Sequence, residues 1–387
     1  MNNTTNPLNP SYHSDENFVH ENYLPPISYN DLSDEAVLEE IKKLKVELSN
    51  QVMILGHHYQ QDDIIAFADA TGDSLQLAKI AKNSQVENII FCGVHFMAET
   101  ADILTNANQR ILLPDLNAGC SMADMAQIRH VQKAWDYIQL VCNDSTTSHE
   151  ELMTPITYIN CAANLKAFVG QHGGTICTSS NAKNVIKWAL SKSQKLFFFP
   201  DQHLGRNTCF ELGISLDKIV VYDPNKLHGG LTAEQIKFAQ VILWYGYCSV
   251  HQGFKKEHIE HWKKTDPERI IIVHPECNFE VVQSSDLNGS TSFIVETLKT
   301  AATGSKFAVG TEINLINRLA SQFTNISIVS LSPYQCLCTT MYRIRPRWLL
   351  QSLISIKEKQ YINVIKVDEE IAHYSKIALN KMLELSL

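Results

Sequence analysis

Residues 52-VMILGHHY-59 and their counterpart 269-RIIIVHPE-276 decide the fold. Each is a short apolar run that stops in polar, ring-bearing side chains. That pattern reads as a buried strand with chemistry at its carboxyl end. A third copy, 155-PITYIN-160, lies between them. After each copy a small hydroxyl-rich turn opens an amphipathic helix: Gly72-Asp73-Ser74 before LQLAKIAK, Thr178-Ser179-Ser180-Asn181 before AKNVIKWAL, and Gly289-Ser290-Thr291-Ser292 before FIVETL. A second strand follows in each unit, NIIFCG, KLFFF and KFAVG. Each unit then presents a cysteine after another apolar run, in ILLPDLNAGC, VILWYGYC and ISIVSLSPYQCLC.

The offsets agree. His57 to Ser74 and His274 to Thr291 are both 17 residues, while His57 to Cys120 is 63 and His274 to Cys338 is 64. The middle unit is longer, with Tyr158 and Cys248 separated by 90 residues, and its excess falls around 206–240. Strands alternating with helices predict parallel βαβ units, here three times over. The expected organisation is a flexible arm over 1–32 and three α/β modules. The first covers 33–125, carries Cys120 and is completed by 340–387. The second covers 126–250 and carries Cys248. The third covers 251–339 and carries Cys338. Ser33, followed by Asp34 and Glu35, caps the first helix.

Composition narrows the function. The 387 residues are 44% hydrophobic and 19% charged, as in a globular enzyme, and the formal charge of −8 gives nucleic-acid binding no support. No apolar run is long enough for a transmembrane helix, and the polar N-terminus lacks a signal core, so a cytoplasmic protein is expected. In such a compartment the ten cysteines are reduced thiols rather than disulfides.

Three cysteines at equivalent strand ends form an incomplete ligand set for an iron–sulfur cluster, which usually takes four. A cluster held by three leaves one iron open as a Lewis acid. Zinc is the alternative, weakened by the absence of a nearby CxxC; His251, three residues after Cys248, reads as a structural histidine. Cys336 and Cys338 form a CxC pair, and spacing does not choose between them. The remaining cysteines default to core packing, with Cys277 beside a strand end. Three hydroxyl turns at helix N-termini suit an anionic substrate. Tyr59, Tyr158, His57, His274 and Glu276 stand where proton transfer is possible, Glu276 being the sharpest candidate.

Taken together, ILGHHYQ (54–60), GDSLQLA (72–78), PDLNAGCSMAD (114–124), TYIN (157–160), CTSSNA (177–182), PDQHLGRN (200–207), WYGYCSVH (244–251), HPEC (274–277), GSTS (289–292) and VGTE (309–312) resemble the quinolinate synthase family. The resemblance runs from about residue 37 to the C-terminal region. It implies three pseudo-equivalent three-layer α/β/α modules with parallel sheets around a central [4Fe–4S] cluster. It also implies condensation of iminoaspartate with dihydroxyacetone phosphate to quinolinate in NAD biosynthesis, with loss of phosphate and water. By the same resemblance the cluster ligands are Cys120, Cys248 and Cys338, the last chosen over Cys336 by the Met341 that follows it. The substrate positions are His57, Ser74, Tyr158, Ile159, Asn160, Ser179, His274, Pro275, Glu276 and Thr291. Tyr59, Tyr158, His274 and Glu276 are the catalytic candidates. Functional coupling to an L-aspartate oxidase or dehydrogenase is the partner implied. Where the family often has AHNY, this chain has GHHY, which puts His58 in place of an asparagine. The alternatives are another three-cysteine cluster enzyme, such as an isoprenoid diphosphate reductase, or a metal or cluster sensor without turnover.

Overall fold

A computed structural model describes residues 29, 31–142 and 152–386. It contains three separate sheets flanked by helices in a three-layer α/β/α arrangement. The first sheet holds β1 (Val52–His57), β2 (Ala70–Gly72), β3 (Asn88–Cys92) and β4 (Arg110–Leu112). The second holds β5 (Met153–Tyr158), β6 (Thr175–Cys177), β7 (Lys195–Phe199), β8 (Ile219–Tyr222) and β9 (Val241–Trp244). The third holds β10 (Ile270–Val273), β11 (Leu287–Asn288), β12 (Lys306–Gly310) and β13 (Ser327–Ser330). A short β14 (Val364–Ile365) joins β4 antiparallel; the other pairings among the described residues are parallel.

The three sheets share one strand order, β2-β1-β3-β4, β6-β5-β7-β9 and β11-β10-β12-β13. The edge strands β2, β6 and β11 are additions to the expected pattern; at two or three residues each they carry too little periodicity to be read. The central strands are apolar throughout, because helices cover both faces of a parallel sheet. The third sheet shows the layering directly. Ile271 and Val273 join one core with Phe254 and Val281, while Ile272 points the other way to join Ile294 and Leu315. The first two sheets share one continuous core.

The excess in the middle unit builds β8, the turn Leu227–Gly230 and the helix Ala233–Phe238. Gly229 lies at φ +71° against the ring of Tyr222, where a side chain has no room. At the N-terminus, the Ala36 N–H donates to Ser33 Oγ at 3.2 Å and caps the helix Asp34–Glu47. The arm expected before it falls largely outside the described residues.

The C-terminal segment 340–387, expected to complete the first module, serves two sheets. The helix Pro346–Lys357 packs on Asp34–Glu47, and β14 extends the first sheet. The last helix, Glu369–Glu384, instead packs on Ala163–Gln171 and β6 of the second sheet. Gly170 permits this close approach, since a Cβ there meets the carbonyl of Tyr374. Thr175 Oγ1 donates to the Ala378 carbonyl at 2.8 Å, and Ser375 Oγ donates to that of Ala163 at 2.9 Å. No helix among the described residues is long and apolar enough to cross a membrane.

Candidate active site

His57 ends β1 and His274 follows β10, at corresponding places in the first and third sheets. Both rings are buried and held alike. The Tyr59 N–H donates to His57 Nδ1 at 3.1 Å, and the Glu276 N–H donates to His274 Nδ1 at 3.3 Å. Burial lowers both pKa values. Arg318, and His58 when it is charged, add to the effect at His57. At His274, Glu276 opposes it and His251 adds to it, leaving a value of about 3. Each ring is therefore neutral. With Nδ1 accepting from the backbone, the remaining proton is on Nε2, so each strand end offers one N–H donor.

Tyr158 ends β5, the matching strand of the second sheet. Its hydroxyl donates to Glu276 Oε1 at 2.6 Å, across two sheets. The other carboxylate oxygen, Oε2, lies 2.9 Å from His251 Nδ1. Burial alone raises the Glu276 pKa, but His274, His251 and the two hydrogen bonds hold it at about 2. Tyr59 Oη lies 3.1 Å from Thr291 Oγ1 and 2.9 Å from Thr311 Oγ1, and Thr311 Oγ1 lies 3.5 Å from His251 Nε2. Tyr59, Thr311, His251, Glu276 and Tyr158 thus form one hydrogen-bonded chain through all three sheets. Burial and the Glu276 charge push both tyrosines well above the ordinary phenol range.

The loop carrying Tyr59 is clamped from the third sheet's side. Arg318, on the helix Ile313–Gln322, bonds the carbonyls of His58 and Gln60 and pairs with Asp62 at 2.9 Å, while Asn314 Nδ2 donates to the Tyr59 carbonyl at 3.3 Å. His58 lies against Asp73 and Gln76. Burial is the main reason that its pKa falls to about 4.

Strand register shows that the hydroxyl turns correspond. His57 pairs with Gly72, Tyr158 with Cys177, and Val273 with Asn288. Ser74, Ser179 and Thr291 therefore each lie two residues beyond the position beside a strand-end ring. Ser74 and Thr291 open their helices, capped by Asp73 and Ser290. In the second sheet the helix Ala182–Lys192 starts later, after Asn181, so Ser179 sits in the turn. Asp73 also accepts a short hydrogen bond from the Ser292 hydroxyl, which joins two of the helix N-termini. The Ile159 N–H donates to the Cys177 carbonyl at 2.8 Å, Asn160 keeps a buried Oδ1 without a protein partner, and Asn207 Nδ2 donates to the Pro275 carbonyl at 2.8 Å.

Cys120, Cys248 and Cys338 follow the fourth strands β4, β9 and β13. All three are half-buried, and their thiols are close enough for charge on one to raise another. Burial pushes Cys120 up to about 12 and raises the other two. In each case the N–H of the third residue on pulls the other way: Ala123, His251 and Met341. Five cysteines, Cys92, Cys161, Cys177, Cys209 and Cys277, are buried, and Cys142 lies at a helix end. Cys336 is also buried. Its Sγ packs against Gly253 and lies 3.8 Å from the Tyr334 carbonyl, in the core of the third unit.

The donor set fits a soft metal centre. Three thiols converge, each faced by N–H groups that favour the thiolate, and metal binding displaces their protons. A second candidate group overlaps it: ligand atoms of Cys248, His251 and Glu276 lie within 4.8 Å of one another. There, His251 and Glu276 already hold each other.

The model of the quinolinate synthetase A protein family matches residues 39–384. The chain belongs to that family. Among similar proteins, the quinolinate synthase of Anoxybacillus flavithermus is 51% identical over 361 residues, covering 92% of this chain and 96% of that one. Those of a Geobacillus species and Acidobacterium capsulatum are 49% and 46% identical, over 93% and 92% of this chain and 96% and 95% of theirs. The family resemblance read from the motifs is thus borne out.

Within this family member, sequence reasoning overlooked Thr311 and took His251 for a purely structural group. Both are buried in the hydrogen-bonded chain, Thr311 at 0% and His251 at 1% exposure. Thr311 directly follows β12, so the ends of the third strands carried a signal that attention to the first and fourth strands passed over. Glu312 was likewise missed. It caps the helix Ile313–Gln322 and accepts the Cys338 N–H at 3.3 Å.

Proposed function

We propose that the chain condenses iminoaspartate with dihydroxyacetone phosphate to give quinolinate, the precursor of the pyridine ring in NAD biosynthesis. The two substrates balance against quinolinate, one phosphate and two waters, with no oxidant or reductant. The observation that carries this reading is the convergence of three half-buried cysteines from equivalent strand ends beside the Tyr59–Glu276 network. Cys120, Cys248 and Cys338 would hold a [4Fe–4S] cluster. When bound, it supplies an open iron, a Lewis acid for oxygen or nitrogen groups that helps water to leave.

The remaining roles belong to the chain's own side chains. Helix N-termini at Ser74 and Thr291, and the turn at Ser179, bind the carboxylates and the phosphate. This local polarity is needed because the protein's net charge is −8. The Nε2–H groups of His57 and His274 donate to substrate oxygens, and Ile159, Asn160 and Pro275 line the same space. Glu276 is ionised and serves as the base. Tyr158 steadies its charge, and Tyr59, held protonated, serves as the acid. In this reading the modules run 33–125, 126–250 and 251–339, with 340–387 shared between the first two. The enzyme works in the cytoplasm and is coupled to an L-aspartate oxidase or dehydrogenase that supplies the unstable imine.

The test is anaerobic purification, with an absorption spectrum, an iron count and chromatography of the product. Brown protein that converts the two substrates to quinolinate is expected; brown protein without that product overturns the reading. A second reading, a single ion at Cys248, His251 and Glu276, is favoured by their proximity. It predicts colourless protein with one metal per chain, retained in Cys120→Ser.

A further inference from the structure

One backbone hydrogen bond recurs in all three units, close to each of the three half-buried cysteines. The helices that follow β3, β7 and β12 are His95–Leu104, Gln202–Glu211 and Ile313–Gln322. The first N–H of each donates to a carbonyl: His95 to Ala118 at 2.8 Å, Gln202 to Gly246 at 3.0 Å, and Ile313 to Cys336 at 3.2 Å. Each accepting residue lies two before Cys120, Cys248 or Cys338. In every unit a helix N-terminus therefore anchors one cysteine loop. The capping residue just ahead of that N–H breaks the likeness. It is Val94 in the first unit, Asp201 in the second and Glu312 in the third, each two residues past its strand. The valine side chain has no acceptor. The two acids are fully buried, and each uses one oxygen on its own helix. Asp201 Oδ1 accepts the Leu204 N–H at 2.7 Å, and Glu312 Oε2 accepts those of Asn314 and Leu315 at 2.8 and 3.3 Å. The second oxygen of Glu312, Oε1, accepts the Cys338 N–H at 3.3 Å and Asn314 Nδ2 at 3.2 Å. The second oxygen of Asp201, Oδ2, is buried without a hydrogen-bond partner, and the Cys248 N–H is among the backbone groups that act on this carboxyl. A helix cap needs one oxygen, so capping accounts for half of each group. Burying the other half is costly unless it serves a donor.

We infer that Asp201 and Glu312 are positioning residues for the metal centre, each steadying the N–H of its own unit's cysteine while it caps a helix. The inference rests on the proposed ligand set of Cys120, Cys248 and Cys338. With its own N–H held, and the carbonyl two residues earlier held as well, a cysteine keeps little freedom about its Cα. The direction of its Sγ is then set by the protein before metal binds. Cys120 has the carbonyl anchor without the acid, because Val94 stands at the equivalent place. The second and third units thus offer two constrained thiols, and the first offers one that is held at fewer points. Asparagine and glutamine keep the shape of the two acids and one oxygen for the helix. Their NH2 group, in place of the second oxygen, donates and cannot accept from the cysteine.

The experiment compares Asp201→Asn and Glu312→Gln with the unmodified holoenzyme, all purified without oxygen. Two quantities are read: the rate at which a chelator strips the iron, and the hydrogen exchange of the cysteine amides. In the unmodified protein the amides of Cys248 and Cys338 should exchange more slowly than that of Cys120, a comparison that needs no variant to fold. Each variant should release iron roughly 10-fold faster. Exchange should quicken at Cys338 alone in Glu312→Gln and at Cys248 alone in Asp201→Asn. Unmodified protein that binds no iron sinks the proposed ligand set and, with it, this inference. Where the unmodified protein does hold iron, three results overturn the positioning role alone: equal exchange at the three cysteines, iron release from the variants at the unmodified rate, or exchange that quickens along the whole capped helix, as loss of the cap by itself would produce.

Discussion

The outer two units and the middle one are built on the same strand order yet present different groups at the same places. In the first and third, the first strand ends at a histidine, and the hydroxyl comes 17 residues later. The cysteine lies eight residues past the fourth strand, from Leu112 to Cys120 and from Ser330 to Cys338. In the middle unit the strand ends at Tyr158, the hydroxyl is 21 residues on, and Cys248 follows Trp244 by only four. The outer units thus contribute two fixed N–H donors of identical tautomer. The middle unit contributes a phenol that donates to the Glu276 carboxylate of the third. The repeat gives the three strand ends a likeness, and the departures from it make the site asymmetric, as the two unlike substrates proposed above would require.

The largest expected effect tests the cysteine equivalence. Cys338→Ser should lose the cluster absorption and turnover, while Cys336→Ser should retain both, because Cys336 is buried against Gly253 in the core of the third unit. The opposite pattern breaks the equivalence of the third unit with the first. Next, Glu276→Gln should keep the iron and lose roughly 100-fold or more in kcat, as expected for removal of a general base. Retention of full activity refutes the role given to the asymmetric carboxylate.

The smallest effect concerns stability and pH. His274 has its folded pKa at about 3 against an ordinary 6.5, so between those values the unfolded chain binds more protons than the folded one. Stability should therefore rise with pH across that window and be lost as pH falls from 6.5 toward 3. His58 and His203, both near 4, act in the same direction. Glu312, raised to about 7 chiefly by burial, opposes them between 4.5 and 7. Thermal unfolding at stepped pH should show the acid-side fall, and His274→Gln should flatten it. A slope unaltered by the substitution shows that the His274 ring is not held neutral in the folded chain.

Much of this was legible in the chain because local chemistry repeats. The apolar runs, the turns and the near-equal offsets specified three parallel α/β units and pointed to Cys120, Cys248, His57, His274, Glu276 and Thr291 without any contact being known. Burial on both faces of a parallel sheet leaves a continuous apolar signature, and helix N-termini leave hydroxyls. Three features were decided only in three dimensions. The short edge strands exist because longer neighbours pair with them. The last helix crosses to the second sheet because Gly170 lets two backbones approach. Thr311 and His251 matter because they lie between groups from different units. A single threonine after a strand has no periodicity and no fixed offset to its partners, and its hydrogen bonds span 60 residues to His251 and 252 to Tyr59. The sequence by itself determined which modules form and which residues stand at their strand ends. The tertiary structure alone decided which of those ends face each other, because that depends on how the three sheets pack together rather than on how any one of them forms.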